Sequence, residues 1–206
     1  MLEHIPAWLG RTLGNVRAGA SKLAIVQPEL GGRFDAIDLS SPAFAQDARL
    51  PPRFTADGEG VSPPLVWGPL PDGTASLALL VEDADAPAPQ PLVHAIVWGM
   101  AADAGRLAEG AIVADGAGDA ETGDVGRNSY LSEGWLPPDP PTGHGEHRYA
   151  FQLFALKDAP HLDPNPGRGA VVDAMAGRVL AAGLLTGVYS RGEPADVGPV
   201  GEAAPA

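Results

Sequence analysis

Residues 76–87, Ser76-Leu77-Ala78-Leu79-Leu80-Val81-Glu82-Asp83-Ala84-Asp85-Ala86-Pro87, are apolar without a break from Leu77 to Val81 and then turn acidic. A short run that is apolar on both faces has no solvated side, so it belongs in the centre of a sheet covered above and below. Residues 92–100 (LVHAIVWGM) and 148–156 (RYAFQLFAL) have the same character. Three such strands predict a mainly β fold built on one large sheet.

Outward from this centre the pattern breaks into short pieces. Residues 36–39 and 50–54 read as edge strands, and 27 Gly with 22 Pro in 206 residues mark a turn-dense chain. Residues 101–127 are rich in Gly, Ala and acids and read as a long surface loop, interrupted by the apolar run 110–113. Residues 170–182 (AVVDAMAGRVLAA) read as a helix with Gly183 at its C-terminal cap, followed by a last strand over 184–189. At the N-terminus Leu2, Ile5, Leu9, Leu13 and Val16 recur every three or four residues, the stripe of an amphipathic helix. The expected organisation is therefore a helical extension over 1–33, one domain over 34–192 and a flexible acidic tail over 193–206.

Thirteen Lys and Arg against 26 Asp and Glu give a formal charge of -13, which opposes a diffuse grip on nucleic acid or on an anionic membrane. Any anion site must be a local pocket. The absence of Cys excludes disulfides, thiolate nucleophiles and Cys-ligated zinc. The N-terminal apolar residues are interrupted by His4, Pro6, Gly10 and Arg11, unlike a secretory signal, which points to a cytoplasmic, soluble protein.

Three polar clusters sit on otherwise apolar strands. Asp83 and Asp85 share a face if the chain stays extended, or form an Asp turn before Pro87. His94 lies inside a dry strand, where a histidine serves either as a hydrogen-bonded core residue or as a ligand contact. His147 and Tyr149 share a strand face that continues as Phe151 and Leu153, a polar pair at the mouth of an apolar wall. These residues also permit rival readings. Mixed His and Asp ligation of a metal is one, although His144-x-x-His147 in a turn entering a strand does not place both rings on one face. General acid and base catalysis is another, but no Cys and no Gly-x-Ser-x-Gly elbow supplies a nucleophile.

Taken in order, the motifs resemble a family. Residues 57–67 (DGEGVSPPLVW), 70–79 (LPDGTASLAL), the DADAP of 83–87 and His94 resemble the first signature region of phosphatidylethanolamine-binding proteins. Asn128-Ser129-Tyr130, Gly134-Trp135-Leu136, residues 137–143 (PPDPPTG) and 145–151 (GEHRYAF) look like the second, and 174–189 resembles the closing segment of the bacterial, Raf kinase inhibitor-like branch. The likeness covers about residues 36–191. It implies a large antiparallel sheet with a smaller second sheet, Greek-key-like connections and few peripheral helices. It also implies a small anion pocket lined by Asp83, His94, His147 and Tyr149, edged by Asp85 and a Pro140-Pro141 turn with a cis proline. Imidazole N–H and phenol O–H groups would donate to a phosphate or phospholipid head group, with no cofactor and no catalytic residue. A homodimer, and a regulator or inhibitor of a partner such as a kinase or protease, are further implications. Ala84 stands where the family usually has Pro, and Val93 and Ala95 where it has aromatic walls, so the ligand's organic part would differ.

Overall fold

The computed structural model describes residues 16–31, 33–114 and 123–192. The helical stripe over residues 2–13 and the tail over 193–206 lie outside these. Val16, the last residue of that stripe, is described and is 47% exposed.

The main sheet is built around β5 (Ser76–Asp83), β6 (Leu92–Ala101), β9 (His147–Leu156) and β10 (Val179–Tyr189). Their spatial order is β10-β9-β5-β6, antiparallel throughout, so after β6 the chain returns to lay β9 along the far side of β5. The three apolar runs are β5, β6 and most of β9, as their two-sided dryness requires. The sheet is mixed at one edge, because β1 (Asp35–Ala36) and β3 (Ala48–Arg49) both pair with β10 in parallel. β8 (Asp124–Val125) closes the opposite edge on β6, so the expected long loop over 101–127 contributes a strand here and, at residues 106–107, another to the second sheet. A second sheet of three strands is formed by β2 (Leu39–Ser40), β4 (Leu65–Trp67) and β7 (Arg106–Leu107) in the order β2-β4-β7.

Alternation along β5 and β9 divides two cores. Leu77, Leu79 and Val81 with Tyr149, Phe151, Leu153 and Ala155 face the smaller sheet and pack on Leu39, Leu65 and Trp67. Ala78, Leu80, Phe154 and Leu156 face the opposite way, towards Ala24 and Leu30 of the N-terminal segment and Val171, Val172 and Met175 of α1 (Arg168–Met175).

The predicted helix is therefore displaced. It ends at Met175, with Gly177 in the left-handed region (φ 68°), and residues 179–182 already belong to β10. Gly183 is a strand glycine, not a cap: a Cβ there would lie 2.9 Å from the Ile37 carbonyl oxygen and 2.9 Å from Leu39 Cβ. Close crossing of another backbone, not a helix terminus, is what demands glycine at that position.

Residues 16–31 pack on the body. Short 3₁₀ turns at Ala20–Lys22, Ala24–Val26 and Pro28–Leu30 run across the sheet, and Ala18, Leu23, Ala24 and Leu30 are buried. Buried Glu82 accepts from the Ala24 amide (2.7 Å), from Gln152 Nε2 (2.8 Å) and from Arg168 Nε (2.5 Å), fastening this strap to β5, β9 and α1.

Candidate functional site

The ends of β5, β6 and β9 meet around a cavity of about 180 Å³. Asp83, His94, His147, Tyr149, Pro140 and Pro141 line it, so six of the seven residues singled out in the sequence converge.

The seventh, Asp85, does not reach it. The chain turns immediately after Asp83, whose Oδ1 accepts the Asp85 amide (2.8 Å), so the same-face rule for extended residues stops applying. Asp85, 1% exposed, instead takes Nε and Nη2 of Arg148 at 2.7 and 2.8 Å, the Arg148 amide at 2.9 Å and Nη1 of Arg17 at 2.9 Å. Burial pushes its carboxyl up, and the hydrogen bonds from Arg148 and Arg17 more than reverse that, leaving it at about 2 against 3.8. Asp85 is the anchor behind the pocket.

His94 owes its position to an irregularity in β6. Val81 pairs with Ala95 and Glu82 with Val93, so His94 is the extra residue of a bulge, which re-aims its side chain. Its Nδ1 lies 2.6 Å from the Leu136 carbonyl oxygen. A carbonyl only accepts, so Nδ1 carries the hydrogen and Nε2 of the neutral ring presents a lone pair. That Nε2 is buried and has no partner. Burial holds the ring's pKa below 6.5, more than the nearby Asp83 raises it.

Tyr149 is fully buried and its Oη also lacks a partner. Burial and then the charge of Asp83 push its pKa well above 10, so it stays a neutral phenol. The His94 and Tyr149 rings meet edge to face with centroids 5.0 Å apart.

His147 is differently engaged. Nδ1 faces Asp83 Oδ2 at 2.7 Å and Nε2 faces His144 Nδ1 at 2.6 Å, forming an Asp83–His147–His144 chain in which one proton lies between the two rings. The ring centroids are 4.7 Å apart. Gly143 (φ 79°) and Gly145 (φ 95°) make the turn that folds His144 back, a conformation ordinary side chains avoid. Both His147 nitrogens thus have protein partners and form wall rather than donor. The two rings also aim at each other and not at a common point, and among the described residues no group of three or more His, Asp or Glu side chains is placed to hold a metal ion.

No cis peptide bond occurs among the described residues, so the Pro140-Pro141 turn is trans, the ordinary state of most X-Pro bonds. It is held from outside by Arg191, which engages the carboxylates of Asp57 and Asp139. Asp139, Tyr130 and Leu136 also line the cavity. Sequence reasoning passed over them because they lie in proline-rich or glycine-rich loops with no period to read. Their one signal was membership of the quoted 128–143 motifs.

The protein is a β-rich domain whose central strands end on a cavity lined by two histidines, two aspartates and a buried tyrosine. A sequence profile of the phosphatidylethanolamine-binding protein family matches residues 40–190, and the chain belongs to that family. It is 39% identical over 157 residues to a UPF0098 protein of Methanothermobacter thermautotrophicus, covering 76% of this chain and all of the relative. A UPF0098 protein of Pyrococcus horikoshii is 34% identical over 164 residues, covering 79% and 81%. Among solved structures, Escherichia coli YbcL superposes with a TM-score of 0.70 at 28% identity, covering 75% of this chain and 98% of YbcL. The Chlamydia trachomatis homologue CT736 gives 0.68 at 30% identity, covering 76% and 99%.

Proposed function

We propose that the cavity binds a phosphate-type anion, free or as the phosphate of a small phosphorylated molecule, and that the site works by binding rather than by catalysis. The observation that carries this reading is the pair of buried, unpartnered atoms, His94 Nε2 and Tyr149 Oη, on two residues that line one cavity. A folded chain rarely leaves such atoms unsatisfied, because each costs roughly 1–3 kcal/mol. A tetrahedral oxyanion can engage both. The cavity lining contains no Ser, Thr, Cys or Lys, and the hydroxyls it offers are the phenols of Tyr130 and Tyr149.

The test is calorimetric titration of phosphate and of O-phosphorylethanolamine into the wild type and Tyr149→Phe, with zinc as a parallel ligand. Saturable anion binding in the wild type, weakened at least about tenfold in Tyr149→Phe, is the expected result, since one charge-assisted hydrogen bond is worth about 1.5–3 kcal/mol. Wild-type protein that binds neither anion, or a variant that binds as well as wild type, overturns the reading. Tight zinc binding without an anion signal would move it to a metal site.

A further inference from the structure

The walls of the cavity also determine which oxyanion fits. Resting on the anion-binding reading above, we propose that the site selects an oxyanion that brings its own hydrogen, a free phosphate or phosphate monoester, against sulfate and against the phosphodiester of an intact phospholipid.

The argument is one of counting donors and acceptors. Asp83 contributes a carboxylate from β5, Asp139 another from the proline-rich loop, and no Lys or Arg is among the lining residues. Arg191, the cation that reaches this loop, is engaged by Asp57 and Asp139. On β9, His147 has its two nitrogens committed to Asp83 and His144. On β6, His94 spends its hydrogen on the Leu136 carbonyl, so what it turns to a ligand is a lone pair. Burial disfavours the cationic form of that ring, which keeps the lone pair in place. Tyr149 is left as a hydroxyl able to donate, with Tyr130 at the wall.

An oxyanion entering this site therefore meets the lone pair of His94, the hydroxyls of Tyr149 and Tyr130, and two carboxylates, of which Asp139 is paired with Arg191. An anion without hydrogen would set an oxygen lone pair against the lone pair of His94 Nε2 and would carry its full charge beside Asp83 and Asp139. A phosphate monoanion resolves the lone-pair conflict, its P–O–H donating to His94 Nε2 while another oxygen accepts from Tyr149 Oη, and it carries one charge fewer than sulfate though no fewer than a phosphodiester. Monoesters keep such a hydrogen below their second ionisation, near pH 6. Sulfate near neutral pH and any phosphodiester have none to give. The discrimination resides in His94, whose tautomer is fixed by the Leu136 carbonyl.

The test compares matched probes by calorimetry on the full chain at about pH 5.5: phosphate with sulfate, methyl phosphate with dimethyl phosphate, and O-phosphorylethanolamine with glycerophosphorylethanolamine, the last pair separating a free monoester from a lipid-type diester. Expected are saturable binding of the hydrogen-bearing member of each pair and at least about thirtyfold weaker binding of the other, because a site built around one hydrogen bond rejects an isostere that lacks it. Methyl phosphate should weaken as pH rises through about 6. In His94→Gln, whose amide can turn N–H2 to the ligand, the phosphate-to-sulfate ratio should collapse. Sulfate or the diester binding within about threefold of its partner, or sulfate binding with uptake of one proton, overturns the selectivity while leaving the anion site standing. If neither phosphate nor any monoester binds, the anion reading fails and the selectivity with it.

Discussion

Replacing Tyr149 by phenylalanine removes one oxygen from a side chain that is fully buried and edge-on to His94. Because that oxygen has no partner, the ligand-free protein gives up nothing but an unsatisfied polar group. Tyr149→Phe should accordingly be as stable as the wild type or more stable by about 1 kcal/mol in urea unfolding, while losing phosphate affinity. A loss of more than about 1 kcal/mol would mean that the hydroxyl is a structural group after all. Binding residues commonly show this opposition, since a site must keep open the valences that folding would close. At this scale the sequence was partly legible. His147 and Tyr149 were readable because a strand alternates, whereas the role of His94 depends on a bulge and on a carbonyl 42 positions along the chain, which no local pattern reveals. Asp85 was misplaced for the converse reason, a turn that starts one residue early.

Among elements, the N-terminal strap ties the back of the pocket together. The Ala18 and Gly19 amides donate to the carbonyls of Ala86 and Ala84 (3.0 and 2.8 Å), on the segment that follows Asp83. Arg17 reaches Glu146 O at 2.7 Å and Asp85 at 2.9 Å, joining that segment to the turn that delivers His144 and His147. The family profile begins at residue 40, so this strap lies outside the matched region. Arg17→Met keeps the apolar stem and removes the clamp. With Arg17 a third exposed, the loss should be on the order of 1 kcal/mol, discounted for solvent screening. The signature is local: faster amide exchange at Ala18, Gly19 and residues 144–147 with the core strands unchanged. Protection unchanged at those amides would show that the clamp does not hold the turn. Strands such as β5, buried on both faces, announce themselves in sequence, while β1, β3, β7 and β8 are two-residue pairings created by the neighbour they meet. The helix boundary was misread because AVVDAMAGRVLAA satisfies a helical period across a left-handed Gly177 and a strand start.

For the whole molecule, charge sets the behaviour in acid. The chain has a formal charge of -13 at pH 7, and mild acidification relaxes this self-repulsion by protonating exposed carboxylates. The buried Asp85 acts in the opposite direction. Its carboxyl sits at about 2 in the folded protein against 3.8 ordinarily, so the unfolded chain binds the proton first as pH falls. Its stabilisation is complete well above pH 3.8 and is lost as pH drops from there through about 2, a change worth roughly 2 kcal/mol. Urea unfolding followed from pH 7 to pH 2 should thus show a shallow dependence down to about pH 4 and a steeper decline below it. Asp85→Asn should flatten the lower limb while lowering stability at neutral pH, because it leaves Arg148 and Arg17 without their shared carboxylate. If the variant and the wild type decline in parallel below pH 4, general charge repulsion and not this ion pair governs acid unfolding, and the anchor behind the pocket is weaker than its geometry indicates.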